Sequence, residues 1–417
     1  MTKDHEGALR DGTQYLIEVP PSWNGTLMLY SHGPPVAPLD PPWPGDQPVV
    51  QALLARGYAV AGCATTRFWP LDENVGNQLA VADLFGQTVA APERTLAWGH
   101  SIGGLMTAAL VQSYPERFDA ALVICGTLGG EVGTQNQQLD CTFAFKTLAA
   151  ADAPIELVNI TNPPRNIRTA VAALEAAQQS PQGRARIGLA ASLANIPGWY
   201  DPMAPAPAAD DSPARQLGQF QWLQAPDFMV FLGARAVLES RGGGNMSWNT
   251  DVDYRRLLQS SVHMDHTCAL YADAGLDLDA DLDALERAPR ISADPQAVTY
   301  FERHIAFDGD LGGTPVETLH SLGDGLVPIH HVGAYADVVD WAGHRNHLAT
   351  LSIARGGHCA FTTAETLTAF DVLTHRVEHG RWPDLEPESL NAHANARFAD
   401  DDHRLAPMMR SLDPARP

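Results

Sequence analysis

Basic side chains are scarce in this sequence of 417 residues: Lys and Arg number 27 against 49 Asp and Glu, for a formal net charge of -22. A surface of that sign repels a phosphate backbone, so nucleic acid is excluded as a partner. Long apolar runs are missing too. No stretch approaches the roughly 18 to 20 consecutive apolar residues that cross a bilayer, and the most apolar segments are only strand-length, so no membrane span is expected. The first residues lack the basic start and apolar segment of a signal peptide, a look shared by mature secreted chains, so the compartment stays open. Cysteine is sparse: Cys63, Cys125, Cys141, Cys268 and Cys359 are too few for a disulfide framework and odd in number. At least one is therefore unpaired within the chain; one pair is possible, but spacing does not name it. There is no internal repeat and no low-complexity tract, and the Asp cluster at 277–283 reads as a solvated helix start or loop.

What is present is a rhythm. From residue 13 to about 125, strand-like and helix-like segments alternate, the pattern of a mainly parallel sheet with helices on its faces. Strands are expected at 14–19, 26–31, 58–63, 95–99 and 120–125, and helices at 49–56, 78–89 and 103–113. The rhythm stops at 130 and resumes after 307, with strands at 316–321 and 349–353 and helices at 332–341 and 363–379. Neither half makes a complete sheet alone. The expected organisation is thus one α/β core, its halves at 1–129 and 308–382, interrupted by a mostly helical cap at 130–307 and followed by a loosely held tail at 383–417.

The strongest chemical signal is Gly99-His100-Ser101-Ile102-Gly103, lying between an expected strand and an expected helix. Small residues there allow a sharp turn that lifts the Ser101 hydroxyl above the sheet. A serine hydroxyl is a poor nucleophile until a base takes its proton. Gly356-Gly357-His358 follows the last expected core strand, where a loop can return the imidazole to Ser101, whereas His330, His331, His344 and His347 read as solvent-facing side chains of a surface helix. An imidazole acting this way needs a carboxylate to hold its tautomer. Asp324, in the turn Gly323-Asp324-Gly325, is the candidate, with Asp310 and Asp337 in reserve. A developing oxyanion needs two N–H donors. Ile102 supplies one at a helix N-terminus; in Ser31-His32-Gly33-Pro34-Pro35 the prolines have no N–H, which favours Gly33, with His32 or a side chain of Ser31 or Tyr30 as weaker options.

These segments, the His-Gly after an early strand, GHSIGG, GDGLVP and GGHCAF, in this order and spacing, resemble serine esterases of the α/β-hydrolase superfamily, particularly bacterial members with a large cap between the sixth and seventh core strands. The resemblance covers residues 13–128 and 308–382, and it implies the α/β-hydrolase fold with the chain order Ser, Asp, His. It supplies no substrate for the cap, including the motif-like stretch at 243–250. Tannase and feruloyl-esterase relatives carry one cysteine just before the nucleophile and another just after the base, joined in a bridge. Here Cys359 follows His358 but His100 precedes Ser101, so that bridge cannot form.

Two features of the cap have competing readings. His263, Asp265, His266 and Cys268 are ligand types for zinc, yet without a second cluster they read as a polar helix face, and no metal or cofactor is expected. The cap aromatics read mainly as packing residues. His32, His100, Trp222 and Trp248 are the candidates for substrate binding. The expected reaction is hydrolysis of a small-molecule carboxylic ester through an acyl-enzyme. Amide, thioester or carbon–carbon bond hydrolysis and acyl transfer are alternatives on the same residues, and a non-catalytic binding protein is the remote one.

Overall fold

The runs Ala-Val-Ala-Gly-Cys at 59–63 and Ala-Ala-Leu-Val-Ile at 120–124 are apolar without alternation, the pattern of strands covered on both faces. In the computed structural model both are strands buried at every position. The structure describes residues 3–31, 33, 47–64, 71–397 and 404–406. Its strands are β1 (Lys3–Ala8), β2 (Gln14–Val19), β3 (Thr26–Ser31), β4 (Ala59–Cys63), β5 (Arg94–His100), β6 (Ala120–Ile124), β7 (Val316–Gly323), β8 (Leu348–Gly356) and β9 (Leu405–Ala406). They form one sheet in the order β1-β2-β4-β3-β5-β6-β7-β8-β9. From β4 through β8 every pairing is parallel, while β1, β2 and β9 join antiparallel at the edges. The crossing of β3 and β4 and the run from β5 to β8 are the strand order of the α/β-hydrolase fold.

Helices α1 (Gln47–Ala55), α2 (Leu71–Thr88) and α3 (Ile102–Ser113) connect the early strands. After β6 come α4 (Gly130–Leu148), α5 (Pro163–Gln178), α6 (Pro181–Leu193), α7 (Ser212–Trp222), α8 (Arg235–Gly242), α9 (Tyr254–Ser260), α10 (Met264–Ala274), α11 (Leu278–Arg287) and α12 (Pro295–Ile305). Two π-helical turns, Leu223–Asp227 and Met229–Ala234, join α7 to α8. All of this lies between β6 and β7, which pair directly, Ala121 opposite Val316 and Ile124 opposite Leu319. The inserted helices have an apolar core of their own, around Phe145, Leu189, Trp222, Phe228 and Tyr254. Among the described residues, no helix is long and apolar enough to cross a membrane.

The chain closes with α13 (His330–Trp341), α14 (Thr363–His379) and α15 (Pro387–Arg397). A reciprocal cap starts α14: the Glu365 N–H donates to Thr362 Oγ1 at 3.1 Å, and the Thr362 N–H donates to the Glu365 carboxylate at 2.8 Å. Residues 383–417 do not all match the loosely held tail expected from their Pro, Asp and Glu content. Helix α15 buries Leu390 and Ala394, and Asp371 of α14 pairs with both His393 and Arg397. Strand β1 was also not legible: its polar run Lys-Asp-His-Glu-Gly-Ala pairs only with β2, so the one neighbouring strand decides it.

Candidate active site

The turn after β5 is tight enough to dictate its residues. A Cβ on Gly99 would lie 2.3 Å from the Ser31 carbonyl oxygen and 2.5 Å from that of Gly103, so only glycine lets the strand pass. Ser101 then takes φ 57° and ψ -122°, a left-handed conformation costing a serine on the order of 1 to 3 kcal/mol. Its N–H donates to the Ile124 carbonyl at 2.9 Å, and its own carbonyl accepts from Leu105 as α3 begins. The backbone is thereby pinned between two core strands and a helix while the hydroxyl projects from the carboxyl edge of the sheet.

The two other expected residues meet it there. Asp324 follows β7 and is fully buried; its Oδ1 accepts the Val327 N–H at 2.9 Å, which fixes the carboxylate in its turn. Its Oδ2 lies 2.7 Å from His358 Nδ1, and His358 Nε2 lies 2.9 Å from Ser101 Oγ. Carboxylate, imidazole and hydroxyl thus form one hydrogen-bonded line across three loops. The reserve acids lie elsewhere, Asp310 on the surface beside His344 at 3.2 Å and Asp337 on α13. Gly33 is placed against the nucleophile, since a Cβ there would be 3.4 Å from Ser101 Cβ and 3.9 Å from its Oγ. Ile102 opens α3, whose N-terminal dipole favours negative charge. His32 lies outside the described residues, and His100 packs edge-on to the Tyr30 and Trp98 rings.

Of two residues that support the acid turn, His320 carried no usable signal in sequence and Trp222 was expected to bind substrate. His320, on β7, has Nε2 2.7 Å from the Val327 carbonyl and 3.8 Å from Asp324 Oδ2. Burial pulls its pKa down, so it acts as a neutral donor behind the acid turn. Trp222 is 2% exposed and donates through Nε1 to the Trp199 carbonyl at 3.2 Å. It packs so closely on Gly325 that a Cβ there would come within 2.4 Å of the indole. It braces the acid turn from the side of the inserted helices and is part of their core.

Two sequence expectations need correction. His330 and His331 do not face solvent: both are buried, and burial takes His330 down to about 3 and His331 well below the ordinary imidazole value. The start of α13 is tucked behind the acid turn, where His331 Nδ1 accepts the Gly129 N–H at 3.0 Å and its Nε2 donates to Gln137 Oε1 at 2.8 Å. His263 and His266 are likewise buried and do not form a polar face. His263 Nδ1 is 3.3 Å from an Arg215 guanidinium nitrogen and His266 Nε2 is 3.0 Å from Gln219 Oε1, while burial holds them down to about 4 and about 3. Those contacts engage a ring nitrogen of each histidine and place a guanidinium where a dication would have to sit.

The structure also names the one cysteine pair that the sequence left open. Cys359 does have a partner near the nucleophile, but it is Cys125, the residue after β6, with Cα atoms 5.8 Å apart. Spacing could not name this pair because 234 residues separate its members. The bridge ties the residue after His358 to the strand whose Ile124 carbonyl holds Ser101. Both sulfurs of Cys125–His358–Cys359, the one group of metal-type ligand atoms gathered among the described residues, are therefore consumed in a bond. Full reduction, or the Cys125→Ser/Cys359→Ser double variant, is expected to lower kcat about tenfold with little change in KM, because the base loop loses its tether. Steady-state kinetics beside a thiol titration checks this; an unchanged kcat in fully reduced protein would remove the bridge from the positioning of His358.

The chain is similar to several known proteins. A model of the prolyl oligopeptidase family matches residues 72–129, the span that holds the elbow. An o-phthalyl amidase from Xanthobacter agilis is 29% identical over 420 residues, covering 94% of this chain and 90% of that protein. Similar solved structures include feruloyl esterase B from Aspergillus oryzae, at 12% identity and TM-score 0.40 over 91% of this chain and 80% of that one. Brefeldin A esterase, a bacterial homologue of human hormone sensitive lipase, is 13% identical with TM-score 0.41 over 95% and 74%. By its strand order and its elbow the chain has the α/β-hydrolase fold, and its matches support a serine hydrolase.

Proposed function

We propose that the chain hydrolyses carboxylic esters through an acyl-enzyme on Ser101. The observation that carries this reading is the single imidazole hydrogen-bonded to both Ser101 Oγ and Asp324 Oδ2, at 2.9 and 2.7 Å. In the first half-reaction Ser101 Oγ attacks the carbonyl carbon as its proton passes to His358 Nε2. The oxyanion is held by the Ile102 and Gly33 N–H groups, and Asp324 stabilises the imidazolium. Collapse breaks the bond to the leaving alcohol, which takes the proton from His358. Water then repeats the sequence on the acyl-serine, releasing the acid and restoring the hydroxyl, with no cofactor. The helices α4 to α12, inserted at the carboxyl edge of the sheet, serve as a cap that encloses the substrate and shapes its pocket.

Amide hydrolysis is the second reading, and one observation favours it: the relative matched over 94% of this chain, inserted helices included, is an o-phthalyl amidase. The same residues serve an amide if His358 protonates the departing nitrogen. The deciding experiment measures kcat/KM on matched ester and amide pairs, an o-phthalyl amide among them, with and without a fluorophosphonate that labels Ser101. Esters are expected to turn over faster, and the label to stop them. A matched amide cleaved as fast as its ester would move the assignment to the amidase reading, and absence of labelling and turnover alike would leave a binding protein on this fold.

A further inference from the structure

The ring nitrogen that faces Ser101 has two sulfurs beside it. Cys359 Sγ is 3.5 Å from His358 Nε2, and the ligand atoms of Cys125, His358 and Cys359 all lie within 4.8 Å of one another. In a tetrahedral zinc site, with Zn–S about 2.3 Å and Zn–N about 2.0 to 2.1 Å, sulfur and nitrogen stand about 3.5 Å apart and two sulfurs about 3.8 Å. The sulfur–nitrogen edge here already has that length, and only the bridge holds the two sulfurs closer. The other ring nitrogen is also prepared. His358 Nδ1 lies 2.7 Å from the buried Asp324 carboxylate, which is the outer partner that a metal-binding histidine uses to keep the lone pair on Nε2.

Both cysteines stay near their places when the bridge opens. The Cys125 N–H donates to the Leu319 carbonyl of β7 at 2.8 Å, so the sheet itself holds that residue. Cys359 lies between His358, bound to Asp324, and Thr362, whose reciprocal cap with Glu365 starts α14. Cys125 is fully buried, whereas Cys359 is half-buried and lines a cavity of about 70 Å³ with His100 and Phe361, so a reductant attacks at Cys359.

We propose that reduction converts the bridge into a metal site, in which Cys125 Sγ, Cys359 Sγ and His358 Nε2 bind a thiophilic dication of the zinc type and so withdraw the base from Ser101. A dithiol reductant supplies two electrons and two protons: the S–S bond breaks, two thiols form, and the dithiol closes to its own disulfide. The cation then releases both thiol protons to solvent and takes the Nε2 lone pair, giving a ligand set whose two negative charges cancel its own. One lone pair cannot serve both partners, so Ser101 Oγ, now 2.9 Å from Nε2, loses its acceptor in the same step. The loss of activity rests on the acyl-transfer reading above; the metal site does not.

The test compares the bridged protein with protein reduced by a dithiol and desalted under nitrogen, each with and without Zn²⁺ or Co²⁺ alone. Reduced protein is expected to bind cobalt with a thiolate-to-metal charge-transfer band. Zinc should lower its ester turnover about a hundredfold or more below the reduced, metal-free enzyme, the scale of what a general base contributes, and a chelator should restore it. Cys268, exposed and free in both forms, makes any signal common to the two a background. Cys125→Ser and Cys359→Ser each leave one thiolate and should lose the band, with a melting curve reporting the fold. Asp324→Asn keeps both thiolates and should weaken cobalt binding about ten- to hundredfold by taking away the outer partner of the ring. Zinc inhibition of equal depth in bridged and reduced enzyme overturns the thiolate ligands, and reduced protein without the cobalt band overturns the site. The band needs no turnover: protein that shows it, yet hydrolyses no ester and takes no fluorophosphonate, keeps the site and overturns the acyl-transfer reading alone.

Discussion

Replacing Ser101 by alanine should lower kcat by about four to six orders of magnitude, on the order of 5 to 8 kcal/mol of lost transition-state stabilisation, while the protein stays folded. The first part follows from chemistry: among the described residues no other hydroxyl is hydrogen-bonded to His358, whose Nε2 meets Ser101 Oγ at 2.9 Å. The second follows from the contacts. What holds residue 101 is backbone, its N–H on the Ile124 carbonyl and its carbonyl under Leu105, and alanine keeps both. The side chain gives up one hydrogen bond, worth about 0.5 to 1.5 kcal/mol. Ground-state binding should survive as well, because alanine leaves the backbone of residues 101 and 102 in place. Kinetics on purified protein, with a melting curve and equilibrium binding of an uncleaved substrate, checks all three parts. Near-normal turnover in the alanine variant would displace Ser101 from the mechanism.

Asp324→Asn should cost kcat a factor of about 10³ to 10⁴ with the fold retained. The amide fits the volume of the carboxylate, and its oxygen can still accept the Val327 N–H that Oδ1 now takes at 2.9 Å. That bond orients the side chain and leaves the NH₂ group directed at His358 Nδ1, now 2.7 Å from Oδ2. Two donors cannot share the contact, so the imidazole must present Nδ1 as an acceptor and carry its proton on Nε2. In that tautomer Nε2 points a proton at Ser101 and cannot accept one. His320 and Trp222 hold the turn from behind and do not depend on the charge of Asp324. Asp310→Asn serves as the comparison, since Asp310 is two-thirds exposed and pairs with His344 on the surface; it should change kcat little. If Asp310→Asn proved the more damaging of the two, the acid would have been misplaced.

Most of the core and the three side chains that meet at its edge, Ser101, Asp324 and His358, were legible in the chain itself, for a local reason. Strands β2 and β3 and helix α14 occupy the residues that apolar runs and turn residues mark, and the elbow at Gly99 to Gly103 is a five-residue geometric requirement written in five residues. Asp324 and His358 were legible because each sits in a glycine-flanked turn at the end of a core strand, where few conformations are open. What neighbours decide was not legible. Strand β1 has no apolar signal and exists because β2 offers it an edge; α15 forms in a polar tail because α14 buries Leu390 and Ala394. His330 and His331 have a helical spacing compatible with solvent and are buried because the root of the inserted helices lies over them.

Sequence alone named the three side chains that meet at the sheet edge and the order in which they occur along the chain, because strand, elbow and turn are properties of short segments. Tertiary structure alone decided how those groups are held: Cys125 against Cys359 across 234 residues and Trp222 on the acid turn. Each of these is a pairing between distant segments, and a contact of that kind takes its energy from burial and complementary polar groups, which no single stretch of sequence contains.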